Sequence, residues 1–132
     1  MPVLMIKVRS REREQFIDIT AEVARRLRET GAREGICHLY VQHTTAALTI
    51  NESADPDVAR DMLHVLRRLA PRHDADYRHG EGNTDAHVKS SLMGTSLSIP
   101  FTDGELLLGR WQGIFLCEFD GPRERQVVMM IR

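Results

Sequence analysis

Cysteine, aromatic residues, lysine and long apolar runs are all scarce in this chain, and each scarcity removes a class of protein. The 132 residues include only two cysteines, Cys37 and Cys117, and neither belongs to a Cys-x-x-Cys pair. That is too few for a disulfide scaffold or a paired-cysteine zinc site, so both are read as reduced core thiols and a cytoplasmic location is expected. No apolar run approaches the roughly 20 residues of a membrane span, and no basic segment followed by an apolar stretch marks a secretion signal. The formal net charge is −1, without the basic excess of a chain that lives on nucleic acid. Neither a membrane nor a nucleic acid is therefore expected as a partner. Gly-x-Ser-x-Gly, P-loop and Rossmann signatures are missing as well, so the commoner catalytic motifs are silent. There is no repeat, linker or low-complexity segment, and the length fits a single domain over residues 1–132.

What is present is uneven. Arginine outnumbers lysine 16 to 2, which reads either as codon bias or as readiness for an anionic ligand, since the planar guanidinium fork matches phosphate. Seven of the nine glycines fall after residue 79, so the second half should be rich in turns. Residues 3–9 and 15–19 read as strands joined by the charged turn Ser10-Arg11-Glu12-Arg13. A helix is expected from a Thr20 cap through Thr30, closed by Gly31. Strands follow at 36–43 and 46–50. Asp55 as cap, Pro56 at the first helical position and Pro71 as stop define a helix over 55–70, with Val58, Met62, Val65, Leu66 and Leu69 on its inner face. A short helix is expected over 84–93 between Asn83 and Gly94, then strands at 97–101, 105–108, 113–119 and 126–131. The fold class is α+β, an antiparallel sheet system with helices grouped mid-chain.

The most informative stretch is His79-Gly80-Glu81-Gly82-Asn83-Thr84-Asp85-Ala86-His87. Gly80 and Gly82 let the backbone approach a ligand and lead into a helix N-terminus, where free N–H groups and the dipole favour an anion. Asn83 and His87 stand one turn apart on the same face, and His79 is placed to close on the same spot. The plain alternative is a glycine turn with surface histidines. His43 ends an apolar strand face and is either a core residue or a ligand, with the hydroxyls of Thr44 and Thr45 available to phosphate oxygens. Asn51, Glu52 and Ser53 read as turn chemistry or as substrate contacts. Trp111 would floor a ring-binding pocket or fill the core. Glu118 interrupts an apolar strand, so it must pair, ligate or sit at an edge. Asp120-Gly121-Pro122-Arg123 reads first as a hairpin turn, with Arg123 or Arg125 as candidate anion contacts, while His64 and His73 read as structural.

The blocks His43-Thr44-Thr45-Ala46-Ala47-Leu48-Thr49-Ile50-Asn51-Glu52, Ala54-Asp55-Pro56-Asp57-Val58, His79 to His87, Ser91-Leu92-Met93-Gly94, Leu108 to Ile114 and Glu118 to Arg123 resemble the signature of the YjbQ family. The resemblance implies a compact α+β sandwich-like fold, a homotrimer with pockets near subunit boundaries, and a secondary thiamine-phosphate synthase activity. That reaction joins a pyrimidine methyl pyrophosphate to a thiazole phosphate and releases pyrophosphate. Under that reading His43, His79 and His87 are the catalytic residues. Thr44, Asn51, Glu52, Gly80, Gly82, Asn83, Trp111 and Glu118 contact or orient a small phosphorylated metabolite.

Two other functions fit the same residues. In a hydrolase, His43, His79 and His87 would hold a divalent metal, zinc or magnesium, with Glu52 or Glu118 as base. In a non-catalytic trimer the same pocket would only bind a phosphorylated ligand.

Overall fold

A computed structural model describes residues 3–132, and within it the chain forms eight strands and three helices. β1 (Val3–Arg9), β8 (Glu124–Ile131), β3 (Gly35–Val41), β5 (Ser96–Thr102) and β6 (Glu105–Leu106) make one antiparallel sheet, in that spatial order. β2 (Gln15–Asp18), β7 (Gln112–Glu118) and β4 (Ala46–Glu52) make the second. The charged turn after β1 is therefore no hairpin: β1 pairs with β8 and β2 with β7, so residues 10–14 carry the chain from one sheet to the other.

The two sheets face each other over a core that includes Ile6, Leu39, Leu48, Leu116 and Met129. α1 (Thr20–Thr30) adds Val23 and Leu27, both fully buried. The other face of the three-stranded sheet carries a second core, in which Ala47, Phe115, Cys117 and Phe119 meet Leu66 of α2 (Pro56–Leu69) and Ala86 of α3 (Thr84–Met93). β7 lies between both cores, which is why Gly113 to Glu118 is buried without alternation. Both cysteines are buried and free; burial pushes the Cys37 thiol up to about 11 and raises Cys117 as well, so both are inert.

Local chemistry explains where the elements begin and end. Asp55 caps α2, its carboxylate accepting from Asp57 N at 2.9 Å, and Gly31 closes α1 in the left-handed region at φ 73°. Thr20 does not cap α1. Its hydroxyl accepts from Ile114 N at 2.8 Å, while Asp18 takes the Thr20 N–H at 2.9 Å. The 36–43 strand ends at Val41, leaving His43 in the turn that follows, and the 105–108 strand ends at Leu106.

The apolar stripe expected on α2 is also only partly inward. Leu66 is buried and Val58 and Met62 are half-buried, but Val65 and Leu69 are 50% and 67% exposed, because the helix docks through Leu63 and Leu66.

Candidate functional site

The loop before α3 and the first turn of that helix build one side of a cleft of about 500 Å³, lined by Arg72, His73, Tyr77, His79, Gly80, Gly82 and Thr84 among others. Gly82 sits at φ 70°, a conformation that turns the chain into the helix and that a side chain at this position would strain. His79 and His87 come together as expected, with ring centroids 5.4 Å apart in an edge-to-face arrangement.

Asn83 stands at the cap position of α3 but does not cap it. Its Nδ2 instead donates to Asp120 Oδ2 at 2.8 Å, and its Oδ1 is buried without a partner. No hydrogen bond among the described residues takes up the backbone N–H groups of Thr84 and Asp85, and the Thr84 hydroxyl is likewise buried and unpartnered. These donors at the positive end of the helix are therefore unpartnered among the described residues, and Thr84 lines the cleft.

An acidic residue in this first turn would normally repel an anion. Asp85, however, is fully buried and turned away: Arg13 grips it with two bonds of 3.0 and 3.1 Å, and Lys89 donates to it at 2.9 Å. Burial alone would raise the Asp85 carboxyl, but these cations overcome it and hold it below its ordinary value of 3.8. The same bonds raise the Arg13 guanidinium.

Glu118 belongs to a second buried network. Arg125 donates to both of its oxygens, through Nε at 2.9 Å and through Nη2, while Ser10 Oγ donates at 2.7 Å and Asp120 N at 3.0 Å. Arg125 also reaches the Thr45 carbonyl at 3.1 Å and hydroxyl at 2.9 Å, so Thr45 is occupied, whereas Thr44 stays exposed. Burial raises the Glu118 carboxyl, and the bonds from Arg125, Ser10 and Asp120 more than offset this and hold it below 4.5. Its oxygens are consumed, which makes it a poor base and a poor substrate contact. It acts by fixing the turn that carries Asp120, and Asp120 in turn orients Asn83.

His43 flanks the same network. Its Nε2 accepts from Gln126 N at 3.0 Å, so its neutral ring carries the proton on Nδ1. Burial, then the Arg125 charge, hold it below 6.5. No hydrogen bond or ring contact among the described residues joins His43 to the His79–His87 pair. Nor do any three His, Cys, Asp or Glu side chains among them form a group able to hold a metal ion.

The remaining predicted residues lie elsewhere. Ala46 pairs with Glu118 and Glu52 with Gln112, so Asn51, Glu52 and Trp111 gather about 20 Å along the β4–β7 ladder from the Glu118 end, at ~3.3 Å per residue. Asn51 engages the neighbouring helix and its own turn, donating to Met62 Sδ at 3.3 Å and accepting from Glu52 N at 2.7 Å. Glu52 lines a separate cleft with Glu12, Asp18 and Asp55, an acidic lining that repels phosphate. Trp111 is 55% exposed, with the Arg110 guanidinium 5.0 Å above its ring. Sequence reasoning missed Arg72 and Tyr77 and read His73 as structural. Only their closeness to the His79 loop marks them, although the density of charge from Arg72 to Asp74 is visible in the sequence.

These shifts fix the acid response of the fold. His43, Glu118 and Asp85 each bind protons less readily folded than unfolded, so stability rises with pH through their titrations. Urea midpoints should hold steady above pH 6.5, decline slightly below it as unfolded His43 charges, and fall more steeply below 4.5 as the carboxylates protonate. A midpoint flat down to pH 3 would count against both networks.

Membrane-crossing length and hydropathy are absent from every helix of the described residues. A family model described as "UPF0047 protein YjbQ-like" matches residues 5–132. The UPF0047 protein YugU of Bacillus subtilis is 50% identical over 121 residues, covering 91% of each chain. A UPF0047 protein of Methanocaldococcus jannaschii is 46% identical over 125 residues, covering 95% of this chain and 90% of its own. The crystal structure of an uncharacterised YjbQ/UPF0047 protein from Clostridium acetobutylicum superimposes with a TM-score of 0.94 at 46% identity, covering 98% of this chain and 99% of that one. With identity at this level along nearly the whole length, and the same fold, the chain belongs to the YjbQ/UPF0047 family.

Proposed function

We propose that the protein is a transferase acting on phosphorylated substrates, of the thiamine-phosphate synthase kind, with the reacting pyrophosphate held at the N-terminus of α3. The observation that carries this reading is the uncapped helix: Asn83 is diverted to Asp120, the Thr84 hydroxyl and first-turn N–H groups are left without partners among the described residues, and the paired His79 and His87 rings belong to the same loop and helix. In the reaction the bond from the pyrimidine methyl carbon to pyrophosphate breaks, and pyrophosphate leaves with the electron pair. The thiazole nitrogen donates its lone pair to that carbon and becomes the cationic ring nitrogen, so no strong base is required. The demand is for stabilised charge on the leaving group, which the helix donors, the Arg72 guanidinium and a hydrogen bond or proton from His79 or His87 supply.

A divalent ion joins this proposal in one way. Two imidazoles suit zinc, and phosphate oxygens would have to complete its shell; magnesium would bind chiefly through the phosphates. Such an ion would neutralise leaving-group charge. The zinc-hydrolase alternative is less well supported, since the Glu118 oxygens are taken and Glu52 lies in the acidic cleft. The test is turnover of the pyrimidine pyrophosphate and thiazole phosphate pair, with and without added divalent metal. Product above background supports the reading; phosphate binding with no product would leave a ligand-binding protein.

The homotrimer belongs to the same proposal. The outer face of the five-stranded sheet exposes Val3, Met5, Ile36, Tyr40 and Met130 to between 39% and 54%, and the strand register sets Val3 beside Met130 and both Met5 and Tyr40 beside Val128. Two further copies are the occupants that would cover such a face, and a neighbouring copy is also how Trp111 would reach a substrate. Tyr40→Glu should lower the mass seen by light scattering from three times 15.1 kDa to one. An unchanged mass would place the interface elsewhere.

A further inference from the structure

A second cleft, of about 470 Å³, borders the 71–73 segment, and its lining includes Arg13, Arg67, Arg72, His73 and Lys89. Arg72 and His73 line both clefts, so the two adjoin along one wall. The charge here is unbalanced. Four cations, Arg13, Arg67, Arg72 and Lys89, meet two carboxylates, Glu14 and Asp85.

Each carboxylate is already shared between two cations. Asp85 takes Arg13 and Lys89, while Glu14 takes Lys89 at 2.6 Å and Arg67 Nε at 2.6 Å. Lys89 is 1% exposed, yet only two of the three donors an ammonium offers are used. Arg67 spends its Nε on Glu14, which leaves its Nη groups without a partner among the described residues, and Arg72 makes no ion pair among them. Beyond pinning helices α2 and α3 to the 10–14 segment, the residues that line the cavity carry an excess of two positive charges, and the free Nη groups of Arg67 and the guanidinium of Arg72 offer the fork geometry that phosphate accepts.

We propose that this cleft is a second phosphate subsite, which binds the phosphate of a second substrate while the first cleft holds the pyrophosphate. The inference rests on the phosphate-transfer reading above and adds to it where the acceptor is held. The shared wall of Arg72 and His73 brings the two anions side by side, and their mutual repulsion is met by the excess cationic charge.

The test is calorimetric titration of the intact protein with inorganic phosphate and with inorganic pyrophosphate, at low salt. Wild type should take up two phosphates per chain. Arg67→Gln, a half-exposed position at the end of α2, should weaken one event at least tenfold and spare the other. His87→Ala should do the reverse, and Arg72→Gln should weaken both. A single event in wild type, or two events untouched by Arg67→Gln, would overturn the second subsite. Turnover is read separately with the pyrimidine and thiazole substrates. Loss of product in wild type sinks the transferase reading but leaves the phosphate count standing, so the two failures are told apart. A bisphosphate ligand spanning both clefts would instead bind once per chain and displace two phosphates, which would overturn the assignment to two separate substrates.

Discussion

Glu118→Ala should cost about 3–5 kcal/mol of stability, the usual penalty for stranding one partner of a buried ion pair. For a domain of this size that lowers the melting temperature by roughly 10–20 °C. The reason is the Arg125 guanidinium, which is 2% exposed and would keep its charge while losing the carboxylate that takes both its Nε and Nη2 donors. Ser10 would lose the nearer of its two acceptors, keeping only the Arg123 carbonyl, and the 118–121 turn its anchor through Asp120 N. Gly121 makes that turn intolerant of repair, because a side chain there would meet Glu12 O at 2.4 Å and Ser10 Oγ at 2.6 Å.

The size of the loss distinguishes a stranded charge from a lost contact. Replacing both partners, Glu118→Leu with Arg125→Met, should cost less than Glu118→Ala alone, since neither charge then remains unpaired. Thermal unfolding of the single and double variants reads the difference. A Glu118→Ala protein that melts within 3 °C of wild type would mean that water reaches Arg125 and that the network is not dry.

His87→Ala should lower turnover of the pyrimidine pyrophosphate and thiazole phosphate pair by roughly 10²–10⁴-fold, the range lost when a positioned acid or base is removed. His87 lies in the second turn of α3, one turn above Asn83, and its ring meets that of His79, which lines the cleft. Its ring is not part of the core, so the fold should survive the change. Melting within a few degrees of wild type is the control. His79→Ala should show a similar loss, and the double variant much less than the product of the two, because each ring orients the other. Equal trace product from wild type and both variants would mean that the chemistry is incidental and that the cleft only binds.

Much of the fold was legible because it rests on local signals. Asp55-Pro56 began α2 and Gly31 ended α1 through backbone and capping chemistry that acts within one turn. The limits of α3, Thr84 and Met93, were readable from Asn83 and Gly94, even though Asn83 turned out to serve Asp120 rather than its own helix. The charge of Glu118 in an apolar strand announced a partner but could not name it. Arg125 is only seven residues away, yet the chain must reverse through 119–123 before the two meet.

The site divides along the same line. Sequence alone indicated the α+β class, the glycine-rich entry to a helix N-terminus and the approach of His79 to His87, since each depends on local pattern. Tertiary structure alone decided that no contact joins His43 to that pair among the described residues, that Asn51, Glu52 and Trp111 belong to the far end of the β4–β7 ladder, and that Arg13, Arg67, Arg72 and Lys89 converge on one cleft. These depend on strand register and on how two helices dock against a sheet. Both are set by contacts between residues more than 50 positions apart, such as Arg67 with Glu14 and Arg13 with Asp85. Local spacing carries no record of such contacts, because it is core packing that selects them.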